Sequence, residues 1–364
     1  MNIALGEICS YRSEKANASN IGSEDLYIST ESMVPNKGGI STASSIPETG
    51  RVSLFRQGDT LVSNIRPYFK KIWHADQNGY CSNDILVFKP NDAIASDYLY
   101  WLLSGNQFFD YVMATSKGTK MPRGDKSAIM NYAVPSNDET ARRMIVSIMN
   151  PIQSKIEANT KLNGYLEELC DALFLDFLEQ ADSSWHEGTL EELAEVKYGK
   201  DHKKLADGPY PVYGSGGFMR SAEKSLFSGE SVLIPRKGSL NNVMYVNEAF
   251  WTVDTMFFTV PRIPGAAKFL YQYVKRLDLA SMNSGSAVPS MTTSILNALS
   301  LPVPPRDSLL SFNAKLQSMY DAVRANNLEN RRLESLRDSL LPKLMTGEID
   351  VSKIDLTQLN SHLA

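Results

Sequence analysis

The sequence predicts an α+β protein: two β-rich mixed domains in a pseudo-two-fold arrangement, separated by two long antiparallel coiled-coil helices. Three observations predict it. The first is a repeat. Within 364 residues, Asn163, Leu166, Glu167, Leu169, Asp171 and Leu173 return as Asn330, Leu333, Glu334, Leu336, Asp338 and Leu340, a constant offset of 167. The same offset carries Gly118, Pro122, Ser127 and Pro135 onto Gly285, Pro289, Ser294 and Pro302 without a gap. An offset held from a loop into a helix marks a duplicated unit. The second is a heptad seam in each copy, and the third is a stretch of short alternating strands before each seam.

Taken in order, residues 1–137 read as the first mixed domain and 138–178 as the first long helix. Residues 185–304 read as the second domain, 305–345 as the second helix and 346–364 as a tail. In the first domain, residues 58–63 alternate after a turn signal, as do 229–234 in the second. Residues 84–90 and 254–261 are apolar strands stopped by Pro90 and Pro261, since proline cannot donate to a ladder. An aromatic-rich helical stretch follows each, over 97–111 and 266–277.

The helices carry the clearest periodicity. Ile145, Met149, Ile152, Ile156, Asn159, Asn163, Leu166, Cys170 and Leu173 step by four and three. Phe312, Leu316, Met319, Val323, Asn326, Asn330, Leu333, Arg337 and Leu340 repeat the pattern. Such a seam packs helices lengthwise, and forty residues of helix span roughly 60 Å. Two seam positions are polar in both copies, Asn159/Asn326 and Asn163/Asn330. They are either solvated positions or register locks, because a buried amide must find a partner. Pro151 is expected to kink or break the first helix.

Composition bounds the function. Hydrophobic residues make up 43% and charged residues 21%, enough for true cores. A net charge of −4 disfavours a uniformly basic nucleic-acid binder, so any nucleic-acid contact rests on local patches. The chain opens without a signal-peptide pattern and holds no membrane-length apolar run. Cys9, Cys81 and Cys170 are scattered, which fits buried thiols in a reducing cytoplasm. No Walker A run, dinucleotide fingerprint or Asn-Pro-Pro-aromatic methylation motif is present; Asn150-Pro151 is the nearest approach. Gly214–Gly217 reads as a turn, and His74, His186, His202 and His362 lie too far apart to suggest zinc.

The C-terminal stretch NRRLESLRDSLLPKLMTGEIDV, residues 330–351, resembles the end of the specificity subunit of type I restriction–modification enzymes. The resemblance continues in GPYPVYGSGG (208–217), SNIRP (63–67) and IQSKIEANTKLN (152–163). It implies a non-catalytic subunit whose mixed domains are target-recognition domains. Each would read one half of a bipartite, asymmetric sequence in double-stranded DNA. The helices would serve as a ruler and as docking surface for two modification subunits. Those partners would bind S-adenosylmethionine and methylate adenine; restriction subunits would add ATP- and Mg-dependent translocation and cleavage. No cofactor is expected on this chain.

Local patches give the candidate DNA contacts. Lys117, Thr119, Lys120, Arg123 and Lys126 share one loop with glycines, and Arg66, Lys70 and Lys71 alternate with Tyr68, Phe69 and Trp73. Glycines admit phosphate to the backbone, and cations neutralise it. In the second domain the equivalent loop is polar, with Ser286 and Ser290, and charge comes from Arg236 and Lys237 beside Asn241 and Asn242. Arg and Asn read guanine and adenine bidentately. Solvated polar loops and ordinary hairpin tips are the alternative readings. Two rival functions stand beside DNA reading: a coiled-coil scaffold with two protein-binding domains, and a DNA-modifying enzyme with an unrecognised active site.

Overall fold

The computed structural model describes residues 2–91, 94–282 and 290–350. It divides into two compact units, residues 1–159 with 328–364, and residues 160–327.

The first unit opens with strand Asn2–Ala4, paired antiparallel to Ala133–Pro135. A 3-10 turn follows at Leu5–Glu7, where the Glu7 carboxylate accepts the Ala4 N–H at 2.8 Å. One four-stranded sheet holds Cys9–Tyr11, Ile85–Pro90, Thr60–Ser63 and Ile72–His74 in that order. A second holds Lys15–Asn17, Arg51–Phe55, Gly79–Cys81 and Tyr27–Ile28. The aromatic stretch expected over 97–111 is two helices, Ser96–Ser104 and Asn106–Ala114. Gly105 divides them, with extended backbone at ψ 141°. Tyr98, Trp101, Phe108 and Phe109 from these helices form the core with Leu5, Phe88, Ile145, Met149, Leu341 and Leu344.

The second unit repeats the opening. Strand His186–Thr189 pairs antiparallel with Ser300–Val303, and Glu192 accepts the Thr189 N–H at 2.9 Å. Its sheet differs, with six strands ordered Ala194–Tyr198, Met256–Pro261, Phe227–Pro235, Met244–Thr252, Tyr210–Gly214 and Gly217–Ala222. Helix Ala266–Val274 is shorter than the stretch expected to Leu277.

The long helices run Glu139–Glu179 and Arg306–Thr346, each one residue later than expected. Their seams pair antiparallel within each unit. In the first, Ile152 and Ile156 pack on Leu333, and Arg337 donates to Gln153 at 3.0 Å. In the second, Phe177 stacks on Phe312 at 4.3 Å between ring centroids, and Cys170 meets Met319.

The seam asparagines are hydrogen-bonded across the two long helices. Asn159 is buried and donates to Glu329 at 2.7 Å and to Asn330 at 2.9 Å. Asn163 is buried, donates to Asn327 at 2.9 Å and accepts from Asn326 at 2.8 Å. Leaving a buried amide unpaired is costly, so a slipped register is disfavoured.

Pro151 does not break its helix, which continues through it. The neighbouring Asn150 ties the helix to the first domain: its amide donates to Asp97 at 2.8 Å and accepts the Trp101 indole N–H at 2.7 Å. Residue 317, one repeat later, does the same work with reversed polarity. Gln317 accepts from the buried Lys268 at 2.9 Å, and Lys268 also donates to Asn313 at 2.8 Å and pairs with Glu230. At the C-terminal end, Leu344 and Met345 are buried and Ile349 packs on the core that holds Leu5 and Ile8. The remaining tail, 351–364, lies outside the described residues.

Asn159→Ala is expected to lower unfolding stability by roughly 1–3 kcal/mol, because Glu329 and Asn330 lose their partner. Lys268→Ala should cost roughly 3–5 kcal/mol, because Glu230 loses its cation and Asn313 and Gln317 lose their donor. Urea denaturation measures both, and an unchanged midpoint contradicts either assignment. Burial pushes the Cys9 and Cys81 thiols up to about 12 and Cys170 up to about 11. An aromatic disulfide reagent at pH 8 should therefore titrate these thiols only after denaturation.

Candidate nucleic-acid interface

The loop over 116–126 is a tight, anchored structure. Lys117 and Arg123 exchange both backbone hydrogen bonds at 2.9 Å, and Gly118 turns the chain at φ +92°. Asp125 caps helix Lys126–Met130 by accepting from the Ser127 and Ala128 N–H groups at 2.9 and 3.1 Å. Hydrogen bonding from Lys117 (2.6 Å) and from those amides holds its carboxyl below the usual range. Arg123 pairs with Asp84 at 3.2 Å. Thr119, Lys120 and Lys126 lie exposed along the same loop.

This loop is docked on the 63–67 segment. The Arg66 N–H donates to the Pro122 carbonyl at 2.9 Å, and the Gly124 N–H donates to the Asn64 carbonyl at 3.3 Å. Arg66, Lys117, Lys120 and Arg123 thus come together on one surface. Lys70 and Lys71 do not join it. Their ammonium groups are spent on Asn106 at 3.0 Å and on the Thr30 carbonyl at 2.6 Å. Trp73 turns inward, edge-on to Phe55. Tyr68 and Phe69 remain exposed beside Arg66.

A third segment, invisible to sequence reading, supports the second. Asn36 and Lys37 donate their backbone N–H groups to the Phe69 and Lys70 carbonyls at 2.8 and 3.0 Å. Lys37 itself is buried and reaches the second long helix, where it donates to Asp338 at 2.9 Å. Asp338 also accepts from Arg337 at 3.0 Å. Only the turn-forming run 35–39 hints at this in the sequence.

In the second unit, Arg236 and Lys237 follow the strand Phe227–Pro235. The Arg236 guanidinium lies over the Tyr198 ring at 5.5 Å, and Lys237 pairs with Ser290 along the backbone. Arg236, Lys237 and Ser290 are brought together. Ser286 lies outside the described residues. Asn241 and Asn242 prove to be braces. Asn241 donates to Asp278 at 3.1 Å and accepts the Ala280 N–H at 3.0 Å, so both ends of its amide are engaged. Asn242 donates to the Ser215 carbonyl at 2.8 Å, tying down the Gly214–Gly217 hairpin turn. Beyond that turn Phe218 and Met219 stand exposed; sequence reading had not singled them out.

Comparison with known proteins finds chains of similar sequence and fold. Residues 182–336 match the family described as the type I restriction modification DNA specificity domain. The HindI specificity subunit of Haemophilus influenzae is 23% identical over 89% of this chain and 94% of its own. The MjaIX specificity subunit of Methanocaldococcus jannaschii is 22% identical over 73% and 72%. A crystal structure of a type I restriction–modification S subunit from M. genitalium shares the fold, with a TM-score of 0.56 at 16% identity, covering 95% of this chain and 96% of that one. The chain is thus similar to specificity subunits of type I restriction–modification systems along most of its length, and to their DNA specificity domain over residues 182–336.

Gly124 is the pivot of the first surface. A Cβ there would meet Asn64 Oδ1 and Val112 Cγ1 at 2.8 Å and Ile129 Cδ1 at 2.9 Å. Gly124→Ala should therefore lower stability by roughly 1–3 kcal/mol, read by thermal denaturation. A variant as stable as the parent contradicts the docking.

Proposed function

We propose that this chain is the DNA-reading, non-catalytic member of its restriction–modification complex. Each mixed domain reads one half of a bipartite, asymmetric duplex sequence. The observation that carries the reading is a family-matched, duplicated chain in which equivalent loops bear different chemistry. Arg66, Lys117, Lys120 and Arg123 cluster in the first unit, with Thr119 and Lys126 beside them; Arg236, Lys237 and Ser290 cluster in the second. Cations neutralise phosphate and position the duplex; different polar tips allow different base readouts.

Two modification subunits dock on the long helices. An exposed apolar stripe at Leu162, Tyr165 and Leu169 in one unit, and Leu328 and Leu336 in the other, supports this, because exposed apolar faces favour partners. Restriction subunits complete the assembly. S-adenosylmethionine, ATP and Mg belong to those partners, and the complex works in the cytoplasm. No helix among the described residues is long and apolar enough to cross a membrane.

Methylation profiling of host DNA with and without the gene tests the function. A bipartite adenine motif should vanish on deletion; an unchanged methylome refutes the proposal. Replacing Lys117, Lys120, Arg123 and Lys126 by alanine should flatten the salt dependence of DNA binding by roughly one unit of slope per lost phosphate contact. An unchanged slope removes the loop from the interface.

A further inference from the structure

Resting on that reading, we infer that Tyr68 and Phe69 form an aromatic wedge that stacks on a base step of the DNA bound by the first unit. Four non-glycine residues have positive φ among the described residues: Asn36 at 57°, Lys37 at 64°, Arg66 at 51° and Lys70 at 50°. All four belong to two segments that hydrogen-bond to each other. Arg66 and Lys70 bracket the turn Pro67–Phe69 on either side. Left-handed backbone at bulky residues is unfavourable and persists only where the surroundings enforce it, most often at functional sites.

The enforced turn holds two large rings in solvent. Tyr68 is 48% exposed and Phe69 37%, with ring centroids 4.6 Å apart. Pro67 beneath them is buried, and the backbone on both sides is bolted to neighbouring loops. The rings are therefore rigidly presented at little further entropic cost.

Their surroundings select the partner. Arg66 opens the turn that carries Tyr68, and Arg123 pairs along the backbone with Ile65 just before it. Aromatic faces framed by cations suit a polyanion with stacked bases better than an apolar protein surface. Apolar side chains on minor-groove binders enter base steps in this way, trading unstacking for a bent duplex with more contact. The Lys37–Asp338 ion pair braces the turn from behind.

The experiment uses the chain assembled with its modification subunits. The probe is a duplex carrying the target found by methylation profiling, with a single mismatch walked through the half read by the first unit and the base pairs beside it. A mismatch at the entered step lowers the unstacking cost. One position should therefore tighten binding several-fold for the parent, and the gain should disappear in Tyr68→Ala/Phe69→Ala. On the matched duplex that variant should bind roughly 5- to 150-fold more weakly, while Tyr68→Trp keeps both properties. A mismatch gain that survives in the double alanine variant overturns the wedge, as does matched binding within twofold of the parent. Loss of subunit assembly in that variant overturns it in favour of a protein contact. If the parent complex binds its target with no mismatch-sensitive step, the wedge falls while DNA reading stands. If the parent shows no sequence preference, the reading beneath it falls and the wedge with it.

Discussion

A buried amide cannot be left unpaired, and this constraint organises the protein. Asn159 in one unit and Asn163 in the other sit in apolar seams where a leucine would pack without specifying alignment. Each finds its partners at a single register, Asn159 with Glu329 and Asn330, Asn163 with Asn326 and Asn327. Once that register is set, the helix faces that meet each domain are set too. Asn150 then reaches Asp97 and Trp101, and Gln317 reaches Lys268. Polar seam residues sacrifice stability for alignment, a worthwhile exchange in a protein that must hold recognition loops in place.

The duplication preserves scaffold and varies contact. Both units open with a strand, a short turn and a glutamate that accepts a backbone N–H three residues earlier. Both anchor the helix that follows the proline-stopped strand to a long helix. The anchor chemistry is inverted, a carboxylate from Asp97 in the first unit and the ammonium of Lys268 in the second. The sheets have diverged further, from two of four strands to one of six. The exposed apolar side chains differ too: one unit shows Tyr68 and Phe69 on a turn, the other Phe218 and Met219 at the start of a strand.

The scaffold was legible because its physics is periodic. The 167-residue offset and the seams located both long helices to within one residue, and the seam asparagines were visible as polar breaks in an apolar pattern. The loops were legible only as composition. Lys70, Lys71, Asn241 and Asn242 have the residue types of DNA readers, yet tertiary contacts turn them to Asn106, Thr30, Asp278 and Ser215. Lys37 was invisible because its partner Asp338 is 301 residues away in sequence. At Pro151 the helix is unbroken for a related reason. Tertiary packing of Ile148, Met149 and Ile152 and the hydrogen bonds of Asn150 retain the helix across one missing donor.

On the proposed reading, the two mixed domains read separate halves of one target, each from its own core. Exchanging residues 185–304 for the corresponding domain of a relative with a different target, then profiling DNA methylation in the host, tests it most directly. The expected result is a new motif in which one half is replaced and the other is retained. A motif changed in both halves, or a folded hybrid that assembles with its partners but directs no methylation, would contradict it.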